Sequence, residues 1–249
     1  MFRKLLKIAG FLVLVMFIIG TLAFTSSEGK NIPCREIQVS FNSHDEIQIS
    51  KKAILRSVTK ADSKILKEPL DEINADAIES EVEKIQAIQK AEVYKIIVKD
   101  TSSYKGVLVV KVKHRKPFVR IMSDTEDYFL DKKGFKIPAS SDYAANVLVV
   151  SGHLSEKFAA EELLPFIRYI EEDDFWKAQI EQVYVEKDGD ILLTPLVGDH
   201  IIEMGTLENY EGKLRKMMAF YEQVLTKNSW NKYKTISLKY DNQVIAKRN

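Results

Sequence analysis

An uncharged apolar run near the N-terminus constrains this chain more than any other feature. From Ile8 to Phe24 it reads I-A-G-F-L-V-L-V-M-F-I-I-G-T-L-A-F. As a helix, about 17 residues rising ~1.5 Å each extend about 25 Å, enough for a hydrocarbon core when flanking side chains snorkel. Arg3, Lys4 and Lys7 crowd its N-terminal side, and Thr25–Lys30 on the other flank is polar and nearly neutral. The positive-inside rule then places residues 1–7 in the cytoplasm and residues 25–249 across the membrane. The competing reading is a cleaved signal peptide, with Thr21-Leu22-Ala23 as a loose cleavage site. Its apolar run exceeds the usual h-region of about 7–15 residues, and Leu22 and Phe24 keep it apolar to the end, which favours a retained transmembrane helix over residues 8–24. Both readings leave the bulk of the chain extracytoplasmic. A lipoprotein is disfavoured, because Cys34 follows Asn31-Ile32-Pro33 rather than small residues.

The remaining ~220 residues suffice for two small domains or one large one. Net charge of +1 argues against a nucleic-acid partner, whose phosphates need concentrated positive charge. The single cysteine excludes an internal disulfide, even in a compartment that permits one. Cys34 is then either an incidental thiol near the membrane or half of a bond between chains.

Residues 25–33 (T-S-S-E-G-K-N-I-P) read as a short polar tether. Ile37, Val39 and Phe41 alternate with polar residues as in a half-buried strand. Ser50 and Asn74 stand as N-caps before two amphipathic patterns, Ile54/Leu55/Val58 and Ile78/Val82/Ile85/Ile88. Asp76, Glu79 and Glu81 suit the opening turns of the second helix. Ala91–Asp100 and Tyr104–Lys113 read as strands. The order strand, helix, helix, strand, strand predicts an α+β unit over residues 34–116, one face of its sheet covered by two helices.

Pro117 removes a ladder donor and marks a boundary. The region 117–249 reads as β-rich with two helices. Phe118–Ile121 opens it. Tyr128–Leu130 and Phe135–Pro138 flank a Lys-Gly turn. Val147–Val150 is a buried strand closed by Ser151-Gly152. Residues 161–176 are helical in period, with Leu163, Leu164, Ile167 and Ile170 inward and Pro165 tolerated in the first turn. Asp188-Gly189 turns a hairpin between Ile180–Lys187 and Ile191–Leu196. His200–Met204 is another strand, Leu207–Leu225 a second helix, and Lys234–Lys247 closes the chain as a strand.

The opening I-Q-V-S-F strand, Ile88–Ile96 and the closing Val107–Pro117 segment resemble a POTRA domain. Taken with the basic N-terminus, the apolar run, Phe129–Pro138, Asn146–Gly152, Phe175–Ile180, Val197–His200, Trp230–Tyr233 and Ile236–Tyr240, nearly the whole chain resembles the bacterial cell-division family FtsQ, also called DivIB. One departure is His114, which stands before Arg115-Lys116-Pro117 where many members of the family carry a glutamate.

The resemblance implies a divisome scaffold in the inner (plasma) membrane at the division septum. Its POTRA-like unit lies near the membrane and serves recruitment. Its distal β domain binds the small bitopic coiled-coil proteins FtsB (DivIC) and FtsL, a partner strand adding to the edge of the last strands. On this chain the implied partner-binding residues are Lys234, Ile236, Ser237, Leu238, Lys239, Tyr240, Asp241, Gln243 and Val244. Ile236, Leu238 and Tyr240 share one parity, Lys239 and Asp241 the other. Arg115, Lys116 and Arg120 at the junction fit either a patch for an acidic partner or a solvated strand edge.

Enzyme signatures are sparse. The four histidines, 44, 114, 153 and 200, lack metal spacing, and one cysteine affords no common zinc site. There is no Gly-x-Ser-x-Gly elbow, P-loop or dinucleotide fingerprint. Glu161-Glu162 and Glu171–Asp174 read as solvated helix ends rather than a hydrolytic pair. Trp176, Phe175, Met217 and Met218 read as core. No cofactor, metal or catalytic residue is expected. The alternatives are a membrane-anchored POTRA protein of outer-membrane assembly or export, and a peptidoglycan-active enzyme.

Overall fold

The computed structural model describes residues 9–21, 32–42, 49–99, 103–140, 144–225, 230–241 and 243–248. Residues 9–21 are helical, and the side chains of Phe11, Val13, Met16, Phe17 and Ile19 are exposed. No helix among the described residues is long and apolar enough to cross a membrane. The ends of the expected span, Ile8 and Leu22–Phe24, lie outside the described residues, as do residues 25–31 of the expected tether.

The chain divides into two compact units, the first ending at Lys113 and the second beginning at His114. The first holds strand β1 (Cys34–Phe41), helices α1 (Lys51–Ala61) and α2 (Ala75–Glu83), and strands β2 (Ile88–Lys99) and β3 (Tyr104–His114). Both helices start where the sequence places them. The Ser50 hydroxyl accepts from Ala53 N at 3.3 Å, and the Asn74 side chain accepts from Ala77 N at 3.1 Å. Each cap satisfies an amide that the first helical turn leaves without a partner. Sheet order is β1-β3-β2, with β1 parallel to β3. Ile54, Val58, Ile78 and Val82 meet Leu108, Val110 and Val112 in one core. Cys34 is buried in that core, and burial pushes its thiol up.

The second unit is a nine-stranded sheet of order β12-β11-β10-β9-β8-β7-β4-β5-β6. Its strands are β4 (Val119–Ser123), β5 (Asp127–Leu130), β6 (Lys136–Pro138), β7 (Leu148–Gly152), β8 (Ile180–Val185), β9 (Ile191–Pro195), β10 (Ile201–Gly205), β11 (Tyr233–Ser237) and β12 (Ile245–Arg248). Two parallel pairs, β7 with β8 and β10 with β11, are joined through helices. β8, β9 and β10 pair antiparallel in succession, so β7 and β10 point the same way, and both crossovers step toward β12. Crossovers are nearly always right-handed, so both helical connections fall on one face of the sheet. A single core forms there, with Ile121, Val150, Val183, Leu193, Ile202 and Ile236 of the strands against Leu163, Phe166, Ile170, Leu214 and Met217 of the helices.

Three readings need correction. The helix expected over 161–176 is two helices. Its first part begins at Glu156, after Ser155 caps Phe158 N at 3.2 Å, and runs through α3 (Glu156–Phe158), a π-helical turn (Ala159–Leu163) and α4 (Leu164–Glu172). Pro165 therefore sits inside a helical run, not in its first turn. Its ring has to clear the carbonyl one turn earlier, and the π-helical turn provides that room. Asp173, extended at φ −100° and ψ 119°, then ends the run and caps α5 (Asp174–Gln179) through Phe175 N and Trp176 N. The helix expected from Leu207 starts at Tyr210, because Asn209 adopts a left-handed φ of 50°. It comprises α6 (Tyr210–Phe220) and a π-helical turn (Tyr221–Leu225). Lys234–Lys247 is not one strand: β11 ends at Ser237 and β12 starts at Ile245, the two pairing antiparallel.

Gly152 closes β7 at φ 112°, and a Cβ there would lie 2.2 Å from the Val185 carbonyl oxygen. Gly152→Ala is expected to cost about 2–3 kcal/mol through backbone strain and a broken β7–β8 register, read as a lower urea midpoint.

Candidate functional site

The two outer strands of the large sheet are built differently. β6 is three residues long and ends in Pro138, which has no N–H to offer. Lys136 on it is held by Glu126 at 2.7 Å and Glu156 at 3.1 Å. Shortness, proline and paired charge blunt that edge. β12 forms the opposite edge, with β11 on one side and, among the described residues, no strand on the other. Its Val244 approach and Ala246 pack against the core, while Ile245, Lys247 and Arg248 are exposed.

Lysines fix the terminal hairpin onto the body of the unit. Lys216 of α6 donates from Nζ to the carbonyls of Tyr240 and Asp241, both at 2.8 Å. Lys239 Nζ meets Asp190 of the β8–β9 turn at 2.5 Å, and that carboxylate raises the lysine's pKa. Leu238 N continues the ladder by donating to Glu203 O at 2.8 Å. Lys213, buried beneath, donates to Thr206 O at 2.8 Å, and burial pushes its ammonium pKa down.

The approach to β11 is anchored by aromatic rings. Tyr221 packs against Trp230 with centroids 5.1 Å apart and against Trp176 at 6.0 Å. Its hydroxyl lies 3.1 Å from His200 Nε2. Burial pushes Tyr221 up to about 12. His200 is 1% exposed, and among the described residues its Nδ1 makes no well-formed hydrogen bond. Burial lowers its pKa; the Trp230 carbonyl and Asp199 offset only part of this.

The structure separates the expected partner-binding residues. Lys234, Ile236 and Ser237 lie on β11, an interior strand, and Ile236 and Leu238 are wholly buried in the core. Lys239 is engaged by Asp190. Tyr240, Asp241 and Gln243 are exposed between the strands, and Val244 leads into β12. Sequence reasoning placed the edge one strand too early. The signal available was Asp241-Asn242, a turn-forming pair that interrupts the alternation. At the junction, Arg115 binds Asp131 at 3.0 Å and stacks over Phe135. Arg120 forms a two-pronged pair with Asp127 at 3.0 and 2.7 Å. Lys116 is exposed, and His114 is buried.

Among the described residues, Glu186, Asp188 and Asp190 form the one acidic group close enough to share a cation, and Asp190 already holds Lys239. Glu161 pairs with Lys157, Glu171 with Lys177, and Asp173 caps α5. Trp176 is core, and Phe175 packs edge-on against it while remaining part-exposed.

A β-α-α-β-β unit is followed by a nine-stranded sheet with its helices on one face. The chain belongs to the FtsQ/DivIB family. Residues 116–247 match the family model described as FtsQ/DivIB, C-terminal related, and residues 32–99 match that of a POTRA-like domain. No curated protein matches the chain. The family is one of non-enzymatic scaffolds of bacterial cell division, associated with the membrane at the division site.

His200 sets a pH dependence. Its folded pKa lies below the ordinary 6.5, so the unfolded chain takes up the proton first as pH falls. Its contribution to stability is present above pH 6.5 and is lost as pH drops from there toward the folded value. Urea denaturation at pH 7.5 and 5.5 is expected to show a larger loss in wild type than in His200→Gln.

Proposed function

We propose that this chain is a non-enzymatic, single-pass divisome scaffold of the inner (plasma) membrane. Residues 1–7 are cytoplasmic, 8–24 form the anchor, 25–33 a tether, 34–116 the POTRA-like domain and 117–249 the β domain. The exposed apolar side chains along residues 9–21 support the anchor: a surface of Phe, Val, Met and Ile suits acyl chains and not water.

The scaffold binds small bitopic coiled-coil division proteins, FtsB/DivIC-like and FtsL-like, and links early to late divisome components at the septum. The partner contributes an extended segment that adds as a further strand along β12. The observation that carries this reading is the asymmetry of the sheet. One edge is closed by Pro138 and the Lys136 ion pairs, while among the described residues no strand lies beside the outer edge of β12, whose hairpin is tied down by Lys216 and Lys239. Backbone pairing supplies affinity, and the side chains of Ile245 and Lys247 supply selectivity.

A proline on an edge strand removes an outward donor without touching the core when its N–H faces away from the sheet. Outward amides alternate along β12, so Ala246→Pro and Lys247→Pro test both registers. Co-purification of the FtsB/DivIC-like partner with the full-length chain is expected to be lost in the variant that removes an outward donor. Lys136→Ala at the far edge is expected to keep it. Recovery unchanged in both proline variants contradicts strand addition at β12. In cells, depletion of the chain is expected to give filaments without septa.

A further inference from the structure

The POTRA-like unit has a definite base, set by where the chain enters it. Cys34 N donates to Glu68 O at 3.0 Å, Leu70 N to Ile32 O at 2.9 Å and Gly106 N to Pro33 O at 3.1 Å. Ile32–Cys34 is therefore fastened both to the connection between α1 and α2 and to the start of β3. β1 and β3 run parallel away from this point, with Cys34 beside Gly106 and Phe41 beside Val112. The connection that follows α1 and the first residues of β3 thus border the entry of the tether.

Both segments carry a large side chain that the core does not take up. In the connection, Lys67 N donates to Lys64 O at 2.7 Å, closing a turn with Ile65 and Leu66 at its two corners. Ile65, at 3% exposure, pins the turn to the core, while Leu66 projects at 52%. Tyr104, two residues ahead of Gly106, is 61% exposed. Lysines border both. Lys64 and Lys67 flank the turn and are exposed, and Lys99, also exposed, ends β2, the strand beside β3. The nearest acids are engaged with the chain itself. Asp62 Oδ1 accepts from Lys64 N at 2.8 Å, and Glu68 is half-buried, its carboxyl pKa raised by burial and by Asp62. The exposed Asp71 and Glu72 come only after Leu70.

We propose that this base seats the POTRA-like unit on the lipid bilayer. Leu66 and Tyr104 enter the interfacial layer, and Lys64, Lys67 and Lys99 rest on anionic headgroups. The seat depends on residues 8–24 being the anchor and adds a second contact with the same membrane. Chain length selects the occupant. Residues 25–31 span about 25 Å at full stretch, so the base stays close to the headgroups. A leucine at a turn corner and a tyrosine, both bordered by lysines, are side chains that this layer takes up. Their apolar bodies are buried, and the lysine stems snorkel to leave the charge among phosphates. Two such side chains and three charges bind weakly alone; the short tether makes the contact intramolecular. β1 and β3 then rise away from the bilayer, which sets the direction in which the unit stands.

The test is fluorescence quenching of tryptophans added one at a time to the full-length chain. The chain is reconstituted in vesicles of phosphatidylcholine and phosphatidylglycerol, with or without bromine on the acyl chains. Leu66→Trp and Tyr104→Trp are each compared with wild type, whose own two tryptophans give the background. The expected result is added emission that is shifted to the blue and lost in brominated vesicles. Lys52→Trp, exposed in the first turn of α1, is expected to stay unquenched. Lys64→Glu with Lys67→Glu is expected to abolish the quenching of Leu66→Trp. Val13→Trp reports on the anchor separately. Quenching at Val13 without quenching at Leu66 and Tyr104 overturns the seat and leaves the anchor standing. No quenching at Val13 refutes the anchor, and the seat with it. Equal quenching of Lys52→Trp overturns the seat. So does a blue shift that brominated lipid leaves unquenched and that grows with the protein-to-lipid ratio, which assigns the base to a second copy.

Discussion

An open sheet has two outer strands, and each leaves one row of backbone donors and acceptors without a partner in the sheet. What a chain does with those rows decides whether it stays alone. The large sheet here closes one row with a three-residue strand ending in proline and with lysine held between two glutamates. The other row, along β12, is closed by no strand among the described residues. Contacts near the C-terminus tie down the hairpin that carries that strand. α6 reaches across with Lys216, the β8–β9 turn reaches over with Asp190, and the aromatic cluster around Tyr221 fixes Trp230 just ahead of β11.

That arrangement follows from topology. Both helical crossovers lie on the same face, so the core is one-sided and the last strands are added at the growing side of the sheet. The terminal hairpin therefore places β12 outermost in the sheet. In the POTRA-like unit the same problem meets a different answer. Helix α2 lends the outer strand β2 two carboxylates, Glu83 accepting from Ala91 N and Glu79 from Val93 N.

Much of this was legible from residues alone. Ser50 and Asn74 cap the helices they precede, because a short polar side chain ahead of an apolar stripe has one favourable use. The Asp188-Gly189 hairpin and the inward Leu163, Leu164, Ile167 and Ile170 follow from turn chemistry and period. The misses have physical causes. Pro165 suggested a helix start, because local preference cannot register a π-helical turn that accommodates a proline from within. Asp173 read as one more surface acid, whereas its extended backbone makes it both terminator and cap. The final alternation of Ile236, Leu238 and Tyr240 hid a break, since the turn after it is stabilised by Lys216 from a helix more than twenty residues earlier in the chain. Such contacts between distant residues leave no trace in a local pattern. The strand read from Lys234 to Val244 as a sheet edge is consequently, over Tyr233–Ser237, an interior strand.

The most direct measurement is a structure of the chain with the small coiled-coil division protein proposed as its partner. A tenth strand hydrogen-bonded along Ile245–Arg248, with Lys216 still on the Tyr240 and Asp241 carbonyls, is the expected result. A partner seated on the helices or elsewhere, with the β12 backbone left bare, contradicts the account.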